Sequence, residues 1–293
     1  MGYGSYSAAD WTKLKQSRNL SSDRNVNEIF TRKSCNPKFD PKYIGTRECF
    51  DSEDHPNSTP IVVGLDVTAS MGYLAVKVAS EALNDLITKL YSTNVVEDPA
   101  LMCAAYGDYS DKSPLQVTQF ESDIRIAEQL LDIYFENGGR GQVVPSCLWE
   151  FLLKHTNIDA INKRGQKGFV FTIGDGAPIR EDHYHETVRR VIGDKLVFEN
   201  VRSTLGRLEE KFHVFHIMLG RRDENPDILT GHKIRIDREY VDILPDVILG
   251  TIRLIKGEDI NKITMDVDEI LRPAVVNALG QLSIFPEQGP ITL

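Results

Sequence analysis

The sequence predicts an α/β fold: a doubly wound, mainly parallel sheet with helices on both faces. Three observations lead to it. Short continuous apolar runs recur from residue 60 onward, segments with helical spacing of apolar residues separate them, and three of the runs end in an aspartate. A strand covered on both faces needs a run without polar alternation, and strands alternating with helices pair in parallel through crossovers.

The elements follow in chain order. "PIVVGLD" (60–66) is the first buried strand, and "YLAVKVASEALNDLITKLYS" (73–92) carries apolar residues at 74, 78, 82, 83, 86, 87 and 90, one face of a helix. "PALMCAAYGD" (99–108) is a second buried strand and "LQVTQF" (115–120) a short alternating one. Residues 123–139 read as a helix stopped by two glycines, and 146–156 as a further helix. "KGFVFTIGDG" (167–176) is a third apolar strand, followed by helical spacing over 181–211 with a break near Gly193. "FHVFHIMLG" (212–220) is a fourth, and "GHKIRID" a short edge strand. Pro245 opens a helix over 244–255, and 266–282 is helical with a break near Pro273. The arrangement is Rossmann-like, and sheets of this kind bind ligands outside the carboxyl ends of their strands.

The division of the chain follows from this pattern: a polar N-terminal extension (1–57), an α/β domain (58–256) and a helical C-terminal addition (257–293). The extension is rich in Ser, Asn, Asp, Lys and Arg and shows few periodic apolar positions. It is expected either to wrap on the main domain or to fold with a partner. Hydrophobic residues make up 41% of the 293 and charged residues 26%, an ordinary globular balance. The net charge of -9 argues against a nucleic-acid binder that works by phosphate neutralisation. The first residues carry no apolar leader core and no window approaches ~18 uninterrupted apolar residues, so neither a secretory signal nor a membrane partner is expected. Cys35, Cys49, Cys103 and Cys147 show no C-x-x-C spacing and read as free thiols, with a cytoplasmic location the default.

Asp66, Asp108 and Asp175 end three strands. One such ending is commonplace in turns and caps, but three on one rim would crowd carboxylates in a low-dielectric crevice that only a cation relieves. Thr68 and Ser70 add hydroxyl oxygens just before a helix. Oxygen donors without Cys or His suit Mg²⁺, with Mn²⁺ or Ca²⁺ as alternatives, rather than Zn²⁺.

"GLDVTASMG" resembles the D-x-S/T-x-S motif of von Willebrand factor type A domains, which carry a metal-ion-dependent adhesion site, and "FTIGDGAP" is similar to their later T-D-G-x-P strand end. "CAAYGDYSD", "VTQFESD" and "LLDIYFENGGRGQVVPSCLWEFL" look like the bacterial-type intracellular branch of that family. The resemblance spans about 58–256. It implies that Thr68 and Ser70 supply hydroxyl oxygens to the metal, that Asp66 and Asp175 hold it, commonly through coordinated water, and that a protein partner's Asp or Glu fills the open position. Arg140, Gly141 and Tyr109 would line the rim where that partner docks. The family usually places Thr or Asp at the end of the glycine-rich loop, whereas "GGRGQ" puts Gly141 there. Gln142 could offer an amide oxygen and Asp108 could approach from the next strand, or Arg140 could itself neutralise the aspartates. Intracellular relatives act as adaptors beside ATPase or kinase complexes, which is the partner class the resemblance implies.

Two other readings use the same residues. A metal-dependent, phosphoesterase-like hydrolase would need a positioned base or nucleophile. His183 and His185 share a face only in an extended segment, His213 and His216 point to opposite faces of a strand, and no nucleophile elbow or phosphate loop occurs. An assembly protein with a vestigial metal site would use the polar N-terminus and the C-terminal helices for docking. The sequence therefore predicts a metal-dependent protein-binding adaptor rather than an enzyme.

Overall fold

The computed structural model describes residues 4–139, 143–175, 184–193, 200–220 and 231–282. The chain opens with helices α1 (Ala8–Arg18) and α2 (Val26–Ile29) and a short strand β1 (Arg47–Cys49). Ser7 caps α1 by accepting the Asp10 N–H, and Asn25 with Glu28 forms a reciprocal capping box on α2. Trp11 and Leu14, three apart on α1, are buried together with Ile29, Phe30 and Phe39 in the same apolar cluster as the central strand. The polar composition of this segment therefore hides a set of anchors, each too isolated in sequence to produce a periodic signal. Arg32 adds a two-pronged ion pair to Asp132 at 2.6 Å.

β2 (Thr59–Asp66) runs through a tight turn (Ala69–Met71) into α3 (Gly72–Lys77), a π-turn (Val78–Ala82) and α4 (Leu83–Thr93). β3 (Pro99–Tyr106) and β4 (Leu115–Val117) precede α5 (Arg125–Leu131) and α6 (Pro145–Lys154). A short β5 (Thr156–Ile158) and α7 (Asp159–Asn162) lead to β6 (Gly168–Gly174). Helices α8 (Tyr184–Ile192) and α9 (Val201–Glu209) are followed by β7 (Phe212–Leu219) and β8 (Lys233–Ile236). The described chain closes with α10 (Leu244–Ile255), α11 (Ile260–Thr264) and α12 (Arg272–Leu279).

Six strands form one sheet in the order β4-β3-β2-β6-β7-β8, parallel throughout except for the antiparallel β3–β4 pair. β1 and β5 form a separate parallel pair. The architecture is thus the mixed α/β, mostly parallel and helix-flanked sheet expected. Alternate residues of β2 serve opposite cores: Ile61, Val63 and Leu65 join the layer with Leu86, Ile87 and Leu90 of α4 and Val247, Ile248 and Ile252 of α10. Val62 faces the other layer, with Leu148, Trp149 and Phe151 of α6. A strand covered on both faces has no position for a polar residue, which explains its unbroken apolar run. Among the described residues no helix is long and apolar enough to cross a membrane.

Two expectations change and one is met. The helix read over 123–139 ends at Leu131, and the chain continues extended, burying Ile133 and Phe135 on alternate positions. Gln116 holds this stretch with its side-chain amide, donating to the Tyr134 carbonyl at 2.7 Å and accepting the Tyr134 N–H at 2.9 Å, so the amide acts as a strand partner. The break near Gly193 is present, with that glycine at φ 84 where a side chain would be strained. Pro273 does not interrupt a helix; it sits in the first turn of α12, where its missing N–H leaves no bond unmade.

Chain order departs from spatial order around β2, whose neighbours are β3 on one side and β6 on the other. The crevice outside the carboxyl ends of β2 and β6 is therefore a topological switch point. Leu65 pairs with Ile173, so Asp66, one residue on, and Asp175, two residues on, leave neighbouring strand ends.

Candidate metal-binding strand-end site

Asp66, Thr68, Ser70 and Asp175 meet at this switch point. Asp66 is fully buried, and its Oδ1 accepts the Thr68 N–H at 2.8 Å, a local Asx turn that folds the chain back over the strand end. The turn brings Thr68 Oγ1 to 3.4 Å from Ser70 Oγ. The Ser70 hydroxyl donates to Asp175 Oδ1 at 2.7 Å, which ties the end of β2 to the end of β6. Alternate spacing in sequence therefore becomes a single cluster through one hydrogen-bonded turn.

The second Asp66 oxygen, Oδ2, is buried and has no hydrogen-bond partner among the described residues. Such an atom retains the full desolvation penalty of a polar group. Burial pushes the Asp66 carboxyl up to about 7, the Thr68 hydrogen bonds oppose that rise, and the charges of Asp175 and Asp111 add to it. Tyr106, also buried, donates its hydroxyl to the Ile173 carbonyl at 2.9 Å beside this carboxylate, and burial raises its pKa as well. Gly174 lets these groups close up: a Cβ there would lie 2.8 Å from the Tyr106 hydroxyl and 3.1 Å from Asp66 Oδ2.

The loop at Gly138 and Gly139 lies against the turn. The Ala69 N–H donates to the Gly138 carbonyl at 2.9 Å, and a Cβ on Gly139, at φ 113, would come within 3.0 Å of Thr68. Asp111 wedges under the loop: its Oδ2 accepts the Asp108 N–H at 2.8 Å, and a Cβ on Gly107 or on Gly138 would strike its carboxylate. Burial raises the Asp111 pKa. Arg140, Gly141 and Gln142 lie outside the described residues, as does His183.

Asp108 is fully buried beyond the end of β3, and its Oδ1 accepts from both the Ser110 N–H (2.9 Å) and the Ser110 hydroxyl (2.6 Å). The carboxylates that act on Asp66 are Asp175 and Asp111. Tyr109 packs partly buried against the second core layer. His213 stacks on Phe169, while His216 is buried on the opposite face of β7, with Nδ1 2.9 Å from Thr172 Oγ1. All four cysteines are free thiols.

Two residues in the site escape sequence reasoning. Asp111 falls in a turn where Asp is ordinary, and only Gly107 and Gly138, packed on its carboxylate, mark it out. Arg238 lies 63 residues after Asp175 and forms an ion pair with Asp175 Oδ2. It follows the edge strand β8, and nothing in "IRIDREY" signals a partner so distant.

Among the described residues no group of three or more His, Cys, Asp or Glu side chains could hold a metal ion. The strand-end cluster is of another kind, two carboxylates with two hydroxyls. Its donors, with one buried carboxylate oxygen unpartnered, fit a hard divalent cation: Asp66, Thr68, Ser70 and Asp175 would hold it.

No known family model matches the sequence. Two crystal structures of the pilus adhesin SpaC from Lactobacillus rhamnosus GG are similar in part, one in an open conformation. Their TM-scores are 0.45 and 0.41, both at 11% identity over 71% of this chain. The chain spans only 31% and 32% of the adhesin's length, and a likeness of this degree assigns it neither a family nor an activity.

Proposed function

We propose that the chain is a von Willebrand factor type A-like protein-binding module that engages an Asp or Glu of a partner protein through a divalent cation, Mg²⁺ in the first instance, at the strand-end site. The observation that carries this reading is the buried Oδ2 of Asp66, which has no hydrogen-bond partner among the described residues and lies within a cluster of oxygen donors. The cation would supply a positive centre that still accepts an anionic ligand. Asp66 would contribute the oxygen that now lacks a partner. Ser70 already gives its proton to Asp175, so its lone pairs remain available, and Thr68 presents its hydroxyl beside them. The glycine loop packs closely on the Cβ and Cγ2 of Thr68, leaving its hydroxyl free of that contact. Four free thiols suit a reducing, Mg²⁺-rich cytoplasm, the location that goes with this reading.

The test is thermal unfolding with and without Mg²⁺ or Mn²⁺, for the wild type and Asp66→Ala. A cation at about 100 times its Kd adds about 2.7 kcal/mol to the stability of a folded state that binds it. The wild type should gain that increment and Asp66→Ala should not; equal shifts in the two proteins would sink the proposal. Capture of a partner from extract should likewise disappear with chelator.

A further inference from the structure

Resting on that cation-site reading, we infer that Arg238 is a tethered counter-ion of the strand-end site: it holds Asp175 while no divalent cation is bound and must release that carboxylate before a cation can take it. The two oxygens of Asp175 are both engaged, Oδ1 by the Ser70 hydroxyl and Oδ2 by the Arg238 guanidinium. The Ser70 bond is compatible with coordination, because a hydroxyl that donates its proton keeps its lone pairs. The Arg238 contact opposes coordination, because the guanidinium and the cation would be two positive centres repelling each other at one oxygen.

Three features show that the contact is built into the fold. Arg238 is the first residue of the turn at Arg238–Ile243, placed just past the end of β8, the outermost strand of the sheet. Its stem crosses Gly220, the residue after β7, which has φ 123; a Cβ there would come within 3.3 Å of Arg238 Nε. Gly220 thus supplies both the left-handed turn and the room for the arginine. The only side-chain hydrogen bond that Arg238 makes among the described residues is the one to Asp175.

The pairing is also incomplete in a way that suits exchange. Arg238 reaches Asp175 but not Asp66, whose Oδ2 has no partner among the described residues, so the site retains an acceptor that draws a cation. The arginine side chain is 53% exposed against 4% for Asp175, so it can return to water when displaced while the carboxylate cannot. A half-exposed ion pair of this kind is weak enough to yield to a divalent ion and strong enough to shift its affinity. Arg238 therefore sets the cation concentration at which the site fills.

The experiment is a Mn²⁺ titration of the full chain at constant ionic strength, following the electron paramagnetic resonance signal of free Mn²⁺, for wild type, Arg238→Gln and Arg238→Lys. Arg238→Gln should bind Mn²⁺ about twofold to fivefold more tightly, the range expected for removing one half-exposed ion pair. Arg238→Lys keeps the charge and should stay near the wild type. Circular dichroism of each variant checks that the fold is kept. If wild type and Arg238→Gln bind with the same Kd, or if the glutamine variant binds more weakly, Arg238 is not a competitor and this inference falls while the cation site stands. If neither protein takes up Mn²⁺, the cation site itself falls and this inference with it.

Discussion

Substituting Gly174 with alanine tests how tightly the strand ends are packed. Gly174 is the last residue of β6, and the new Cβ would sit 2.8 Å from the Tyr106 hydroxyl, where ordinary contact begins at 3.4 Å. The hydroxyl must therefore retreat by about 0.6 Å, and the ring behind it is fully buried with no room to follow. Its hydrogen bond to the Ile173 carbonyl, now 2.9 Å, is lost at a cost of about 1 kcal/mol. Forcing a methyl group into a filled core costs roughly 1–3 kcal/mol more. Together these predict a loss of about 2–4 kcal/mol, measured by urea unfolding with an unchanged denaturant slope. The comparator is Gly206→Ala in α9, where nothing lies within 4 Å of the new Cβ. There the same substitution should stabilise by about 0.5–1 kcal/mol, because alanine loses less backbone freedom in a helix. If Gly174→Ala unfolds within about 0.5 kcal/mol of the wild type, or if Gly206→Ala loses as much as Gly174→Ala, the packing around the strand ends is not as argued.

Phe30→Ala should cost about 3–5 kcal/mol in chemical denaturation, because this ring is 1% exposed and packs on Phe135 at 5.7 Å; a loss under about 1 kcal/mol would mean that residues 4–57 are not part of the core. His216 predicts a pH dependence. Burial depresses its pKa from 6.5 to about 4, so the folded state binds fewer protons than the unfolded one in that interval. Its contribution is complete above pH 6.5 and is lost as pH falls through about 4, a change of about 3 kcal/mol at ~1.36 kcal/mol per pH unit. His216→Asn should flatten the wild-type fall in stability between those values, and an identical slope in the two proteins would refute this.

How legible the site was in sequence depends on the range of the interaction that forms each part. Asp66, Thr68 and Ser70 are held together by an Asx turn within five residues, so their spacing already encodes their convergence. β2, β3, β6 and β7 are legible because burial on both faces leaves only apolar residues along each of them. The extended stretch through Ile133 and Phe135 was hidden because apolar residues near a helix end fit either period. Gln116, the residue that decides the matter, comes from another strand. Trp11 and Phe30 were hidden for a related reason: single anchors in a polar segment show no period.

The sequence by itself determined the alternation of buried strands and helices, and with it the strand ends at which Asp66 and Asp175 stand. Only the tertiary structure decided that these two carboxylates stand at neighbouring strand ends, that Asp66 Oδ2 has no partner among the described residues, and that Arg238 reaches Asp175. Those facts depend on which strands become neighbours when the sheet closes, and on an ion pair between residues 63 positions apart that no local periodicity records.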